Sequence, residues 1–547
     1  MDYQRLFLFL IFSLSVFMLW DSWERTQHPQ VQPISLAASS GAANSSVPSA
    51  IAESAVVPKI NEVSEQTKRL TGQTITVTTD WLVADISTIG GDLRRLELVR
   101  QHNAKDKNKP FVLLQESEGT YIAQSGLLAM GLPTHNAIFT SDANAYQLVD
   151  GQDILEVRLL ATEESGVKVT KVYKFHRGSY LIDVGYEINN ESKNAIVSSA
   201  YFQLVRDKTP PEGGIKFVPT YTGPAIYTNQ DKFQKVAFED IDKGKAKYPA
   251  KADDGWIGIL QHYFVAAWLP QEKLPHEYYI KPLGEELYSV GVVLPVPVAA
   301  PGQIVRINVP LYAGPAKNSL DKIAPGLGLT VDYGWLTVLS VPLFWLLSFL
   351  EGWVHNWGIA IILLTVLIKL LFFPLSAASY RSMAKMRVVA PKLEKIKMQY
   401  GDDRERLHKA MMELYKTEKI NPLGGCLPML IQIPVFIALY WAILASVELR
   451  YAPFYGWIQD LSAADPYYIL PLIMGASMIV QGRLSPPPPD PMQAKLMKMM
   501  PVIFSVVFFF FPAGLVLYSI VNSSLSIAQQ WVITRNMEAG IKGAAKT

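Results

Sequence analysis

One cysteine, Cys426, is all that the 547 residues contain, so no disulfide can close within the chain. Its place at the start of an apolar run makes it a small packing residue rather than a nucleophile. The eight histidines are scattered from His28 to His408, none at the i, i+4 spacing of a helical zinc site, and neither metal nor cofactor is expected. Missing too is the constellation of nucleophile, acid or metal ligands at the ends of apolar runs that a membrane-bound enzyme would need. There is no surplus of one charge: 50 basic residues stand against 48 acidic ones, and a net of +2 gives no reason to expect DNA as a partner. Charge itself is scarce at 18%, against 50% hydrophobic residues, which points to a membrane protein carrying a soluble part.

What the chain does have is long apolar runs. Trp357–Phe373, stopped by Pro374, has 17 residues and covers roughly 26 Å as a helix, near the hydrocarbon thickness of a bilayer. Inside it sits Lys369, which at the middle of a lipid-facing helix would cost about 2.5–3.5 kcal/mol. Two readings of that charge stand open. Lys369 lies close enough to the end of the run to snorkel to the headgroups, or it faces a wet cavity within the bundle. Pro422–Ser446 returns across the membrane, with Pro428 and Pro434 interrupting its hydrogen-bond ladder; lipid tolerates this only where neighbouring helices or water satisfy the freed groups. Gln432 lies between those prolines, and with Thr365 and Lys369 it lays a polar face across two adjacent spans. Thr and Gln in a span also serve simply to join helices.

Between the two runs, Met386, Val389, Leu393, Ile396 and Tyr400 repeat at +3, +4, +3, +4, a heptad seam. After a turn at Gly401-Asp402-Asp403, Leu407, Met411 and Leu414 repeat in the same way, so two helices can pair antiparallel. From Ser376 to Asn421 there are 11 Lys/Arg and 6 Asp/Glu, which places the hairpin in the cytoplasm by the positive-inside rule. Met386 on the seam and Arg387, Lys392, Arg404 and Arg406 on the charged faces are its candidate contact residues, and anionic lipid headgroups or a ribosomal surface are candidate neighbours. A merely soluble hairpin is the other reading.

The chain opens with an apolar run, Leu6–Trp20, behind Arg5. Asp21, Ser22, Trp23 and Glu24 follow it rather than a small-residue cleavage site, so residues 1–24 read as an uncleaved signal anchor. Residues 25–69, rich in Ser, Ala, Pro and Gln, read as a linker. From 70 to 315 the pattern is β, most clearly at Tyr180, Ile182, Val184, Tyr186 and Ile188 with a period of two, and a large β-sandwich is expected. Trp335–Leu350 is apolar but divided by Pro342, and 330–352 reads as an interfacial amphipathic helix with Trp335 and Trp345 at headgroup level. A five-span core follows at 353–535, the later spans being Tyr467–Gln481, Leu496–Phe511 and Leu515–Ile533, and 536–547 form a cytoplasmic tail. Counting the anchor, the fold is a polytopic α-helical membrane protein of six spans.

The motifs NPLGGCLP (421–428) and LIQIPVFIALY (430–440), preceded by SMAKM (382–386) and MELYK (412–416), resemble the YidC/Oxa family of membrane protein insertases. The likeness extends to VELR (447–450), DPYYILP (465–471), DPMQ (490–493) and FPAGLVLY (511–518). One departure is Lys369, where members of the family usually carry Arg; a bare positive charge is served by either, a bidentate fork is not. The β block, with Thr79-Asp80 and Gly90-Gly-Asp92, is similar to the periplasmic domain of the longer, double-membrane bacterial members. That fold in turn is similar to sugar-binding sandwiches such as galactose mutarotases, and a carbohydrate-processing role would require a His and a carboxylate paired in a pocket.

The resemblance implies a non-enzymatic insertase of the bacterial inner membrane. Nascent membrane proteins would enter the bilayer through a short polar groove, alone or beside the Sec translocon. Lys369, Thr365, Gln432 and Asn522 would line that groove. Ile433, Phe436, Met499 and Phe504, on the third and fifth spans, would meet the sliding client helix. A transporter or channel is the alternative, since intramembrane charge and broken helices mark substrate pathways as well.

Overall fold

The computed structural model describes residues 72–103, 106–117, 119–161, 166–211, 220–401, 403–418, 427–484 and 491–544. The anchor, the linker and the stretch 421–426 read from the sequence lie outside them.

Alternation of apolar and polar side chains builds the first part of the molecule. In the strand Leu181–Asn190 the residues Ile182, Val184, Tyr186 and Ile188 are all buried, because successive side chains of a strand point to opposite faces. The strand pairs antiparallel on both sides, with Val184 opposite Val309 on one neighbour and Tyr173 on the other. Among the described residues the strands form a nine-stranded and a ten-stranded sheet. Rings from the two sheets meet between them: Phe202 lies 6.3 Å from Tyr186 and 5.2 Å from Trp268. Each such fully buried large side chain contributes roughly 1.5–3 kcal/mol.

Helices dominate after Thr337: α1 Thr337–Val354, α2 Trp357–Leu371, α3 Phe373–Tyr400, α4 Arg404–Thr417, α5 Leu427–Ala445, α6 Ile469–Leu484, α7 Pro491–Phe508 and α8 Ala513–Ala544. By length and apolarity alone α1 is able to cross a membrane, as are α2 and α3 taken together, bent by 68° at their junction. Pro374 stands in the first turn of α3, where its missing N–H has no helical acceptor to lose, so it opens a new helix where the sequence reading had it close one.

Two other prolines act differently from the sequence reading. Pro342 does not divide α1, which runs unbroken across it. A single interior proline forfeits one ladder bond, and α1 is tied at that level by Ser340, whose hydroxyl donates to the Ala438 carbonyl of α5 at 2.9 Å. Pro428 falls in the first turn of α5 and costs no bond, leaving Pro434 as the interior proline. The last helix continues to Ala544, through most of the stretch read as a tail.

The helices α3 and α4 do form a hairpin, closed by Asp403, which caps α4 by accepting from the Glu405 and Arg406 amides. Its seam holds Val389 and Tyr415 buried, with Met386, Leu393 and Met411 packed around them. On α4 the repeat therefore steps +4 from Met411 to Tyr415, where the sequence reading took +3 to Leu414.

Candidate functional site

Three helices bring polar side chains together inside the helical region. Lys369, near the end of α2, donates from Nζ to the Ser526 hydroxyl of α8 at 2.7 Å. Ser526 in turn donates to the Asn522 carbonyl one turn earlier at 2.8 Å, which leaves its oxygen turned toward the ammonium. Gln432, on α5, donates from Nε2 to the Tyr518 hydroxyl of α8. Ile368, Lys369, Phe372, Leu375, Ser376, Gln432 and Val435 line a cleft with about 360 Å³ of empty space.

The charge balance of this cleft is one-sided. None of its lining residues is acidic, and among the described residues Lys369 has no ion pair. An ammonium has three donors and no acceptor, so a single serine leaves donors free for water or for an incoming carboxylate. The bond to Ser526 also turns the side chain toward α8 and the cleft.

The other residues singled out from the sequence are placed as follows. Thr365 does not reach the cleft: it is fully buried and donates to the Ile361 carbonyl of its own helix at 2.7 Å, the back-bond that threonine makes in helices. Asn522 enters through its backbone carbonyl. Ile433, Met499 and Phe504 are exposed on the helix surfaces. Phe436 is half-buried, with its ring 6.2 Å from Phe508 and 6.5 Å from Tyr518. On the hairpin, Met386 packs on the seam, Arg387 is exposed, Lys392 pairs with Glu418 at 2.6 Å, and Arg406 with Asp403 at 3.1 Å. Arg404 is the first residue of α4.

Sequence reasoning did not single out Tyr518, Ser526 or Ser376. The first two were within reach: Tyr518, Asn522, Ser526 and Gln530 recur every four residues, a polar stripe along one face of α8. Ser376, in the first turn of α3, lines the cleft together with Lys369.

A second cleft of about 550 Å³ lies at the far end of α5, where Trp441 faces His262, Tyr263 and Asp332 of the β region. A His–carboxylate pair of the kind a sugar-processing site requires does exist, His176 and Asp183 at 2.8 Å, but it lines neither cleft.

Residues 74–346 match the model of the YidC periplasmic domain and residues 349–540 that of the 60Kd inner membrane protein. A membrane protein insertase YidC of Nitrosospira multiformis is 56% identical over 565 residues, covering 100% of this chain and 99% of that one. The chain belongs to the YidC family of membrane protein insertases. The corresponding insertase of Nitrosomonas europaea is 53% identical over 98% of this chain and 91% of its own. A solved structure titled an active YidC insertase with its first transmembrane domain resolved is 19% identical, covers 84% of this chain and 94% of that chain, and superposes with a TM-score of 0.39. Membership makes this chain a YidC insertase of the inner membrane rather than an enzyme, with its β-rich region in the periplasm and its helical region C-terminal to it.

Proposed function

We propose that the cleft formed by Lys369, Gln432 and Ser376 is the polar groove through which this insertase passes the hydrophilic parts of its clients. The observation that carries the reading is an ammonium held by a neutral hydroxyl, in a cleft whose lining contains no acid. Acidic residues that must cross are drawn to it with an energy near 332/(ε·r) kcal/mol, where ε lies between the values of water and of protein. The client's apolar segment leaves sideways along Ile433, Phe436, Met499 and Phe504, on α5 and α7, three of which are exposed and apolar.

The topology that suits this work has six spans: the anchor at 1–24, then five in the core. The excess of basic residues on α3, α4 and their surroundings sets the hairpin and the C-terminus in the cytoplasm, where a translating ribosome and anionic lipids are its neighbours. In this arrangement α1 lies at the periplasmic interface, with Trp345 and Trp353 exposed for the headgroup region. The chain works alone or beside the Sec translocon on nascent membrane proteins.

The test is complementation of a depletion strain, with protein levels checked by blot. Lys369→Arg is expected to retain insertion, whereas Lys369→Leu and still more Lys369→Glu accumulate in the membrane and fail on clients with acidic exported tails. Full activity of the Leu and Glu variants would remove the electrostatic role.

A further inference from the structure

The lining of the cleft is divided in character. Lys369, Ser376 and Gln432 give it a polar wall, and Ile368, Phe372 and Leu375 an apolar one. Along α2, Leu363, Leu367, Leu370 and Leu371 are exposed, and their steps of three and four put them on one face of the helix. Exposed leucines in such a row suit acyl chains. One helix therefore offers an apolar face to lipid and, beside it, an ammonium turned into a polar cleft.

Headgroups come within reach of that ammonium. The helix α2 has 15 residues and is therefore about 22 Å long, roughly 8 Å less than the hydrocarbon layer is thick. A span that falls short thins the bilayer around it or sends its flanking side chains out to the headgroups. Lys369 stands two residues before the end of α2. Beyond the 68° bend that follows, Ser376 lies in the first turn of α3.

The donors left over select the ligand. The ammonium spends one of its three N–H groups on Ser526, and the Gln432 amide one of its two on Tyr518. What remains suits an acceptor with several oxygens, and a phosphodiester presents them together with a full negative charge. The lining holds no carboxylate, so nothing there matches the ammonium of an ethanolamine or choline headgroup. A glycerol headgroup carries hydroxyls alone and makes no such demand.

We propose that the cleft is a binding site for the phosphodiester of an anionic, glycerol-headed phospholipid drawn from the leaflet on the hairpin side. Lys369 holds the phosphate, Ser376 and Gln432 meet phosphate or glycerol oxygens, and the acyl chains leave over Ile368, Phe372 and Leu375. The lipid neutralises a charge that otherwise stands alone in an apolar span, which offsets the cost of placing it there. As the occupant of the groove between clients, the lipid extends the groove reading and in that respect rests on it. Its test needs no client, so either reading can fail without the other.

The full chain is reconstituted in nanodiscs with Cys426→Ser and a reporter cysteine in the lining, Leu375→Cys, and its labelling rate by an uncharged maleimide is measured. Replacing part of a phosphatidylcholine bilayer by phosphatidylglycerol is expected to slow labelling about fivefold, the worth of one lysine near an anionic lipid surface. The same share of phosphatidylethanolamine is expected to leave the rate within about twofold. Lys369→Arg keeps the slowing, whereas Lys369→Leu and Lys369→Gln abolish it. Absence of slowing with Lys369 in place overturns the proposal. Equal slowing in the Leu and Gln variants overturns it as well, because the surface potential of the bilayer would then be the cause. Inorganic phosphate that slows labelling as much in pure phosphatidylcholine removes the lipid as ligand and leaves a site for a free anion.

Discussion

Asp92 and Lys171 approach to 3.8 Å in the middle of the β domain with neither side chain reaching water. Lys171 also donates to the Gly90 carbonyl at 2.9 Å, and Asp92 accepts from Gln124 at 2.9 Å. The remaining carboxylate oxygen, Oδ1, has no hydrogen-bond donor among the described residues. A buried pair of this kind contributes little net stability, but removing one partner strands the other charge, at a cost of about 3–5 kcal/mol. Asp92→Asn and Lys171→Met are each expected to lose about that much in urea unfolding at neutral pH. The double variant is expected to lose less than either single change. Additive losses would mean that the two charges do not depend on each other.

The same cluster shapes the response to acid. Burial lifts the Asp92 carboxyl from 3.8 to about 6, against the pull of Lys171. Burial, reinforced by Lys171 and Arg94, drops His135 from 6.5 to about 4. The stabilising contribution of Asp92 is full below its unfolded value and is lost as pH rises through 6. That of His135 is full above 6.5 and is lost as pH falls through 4. Between pH 4 and 6 the two oppose each other, so the native profile is shallow. Asp92→Asn removes the first contribution, and its unfolding free energy is expected to fall more steeply than that of the native chain as pH is lowered across this window. Parallel profiles would contradict the assignment.

Gly358, at the start of α2, is pressed against the loop between α5 and α6. A Cβ added there would stand 2.0 Å from the Phe454 ring. Gly358→Ala is expected to cost about 1–3 kcal/mol by overpacking, seen as earlier thermal unfolding in detergent. Gly352, inside α1, has nothing within 4 Å of its would-be Cβ. The alanine variant there is expected to gain about 0.5–1 kcal/mol from helix propensity.

Tyr415 and Leu414 distinguish the observed hairpin seam from the one expected from spacing. Tyr415 is 6% exposed and packs with Val389. Tyr415→Ala is expected to open the hairpin to limited proteolysis near Gly401, whereas Leu414→Ala leaves the cleavage rate within about twofold. The reverse order would return the seam to Leu414.

Lys369 was legible because a charge in an apolar run has to be explained, and the period of two from Tyr180 to Ile188 was legible because strand geometry imposes it. Other features depend on partners that no local pattern names. Thr365 looks the same in sequence whether it faces a cleft or bonds its own backbone. Ser526 becomes the partner of Lys369 only through the packing of helices 157 residues apart in sequence. The seam slipped on α4 because Leu414 and Tyr415 are both apolar enough for it, and +3 and +4 steps are both helical. Pro342 was read as a break because propensity counts the lost bond and not the neighbouring helix that offsets it. Arg450 was noted only as part of a motif, since three of the four rings around it, Phe111, Tyr263 and Phe264, come from more than 150 positions away in the chain.

The last helix, α8, has 32 residues and is therefore about 48 Å long, some 18 Å more than the hydrocarbon layer is thick. Ordinary tilting takes up only part of such an excess. Near the start of α3, the Gln529 side chain donates to the Phe373 carbonyl at 3.5 Å, and beyond it α8 runs on without a break to Ala544. Arg535, lying 5.1 Å over the Trp531 ring, belongs to this last stretch of α8. On the groove reading proposed above, a domain fused rigidly to the C-terminus is expected to slow insertion, and a flexible linker in its place to restore it.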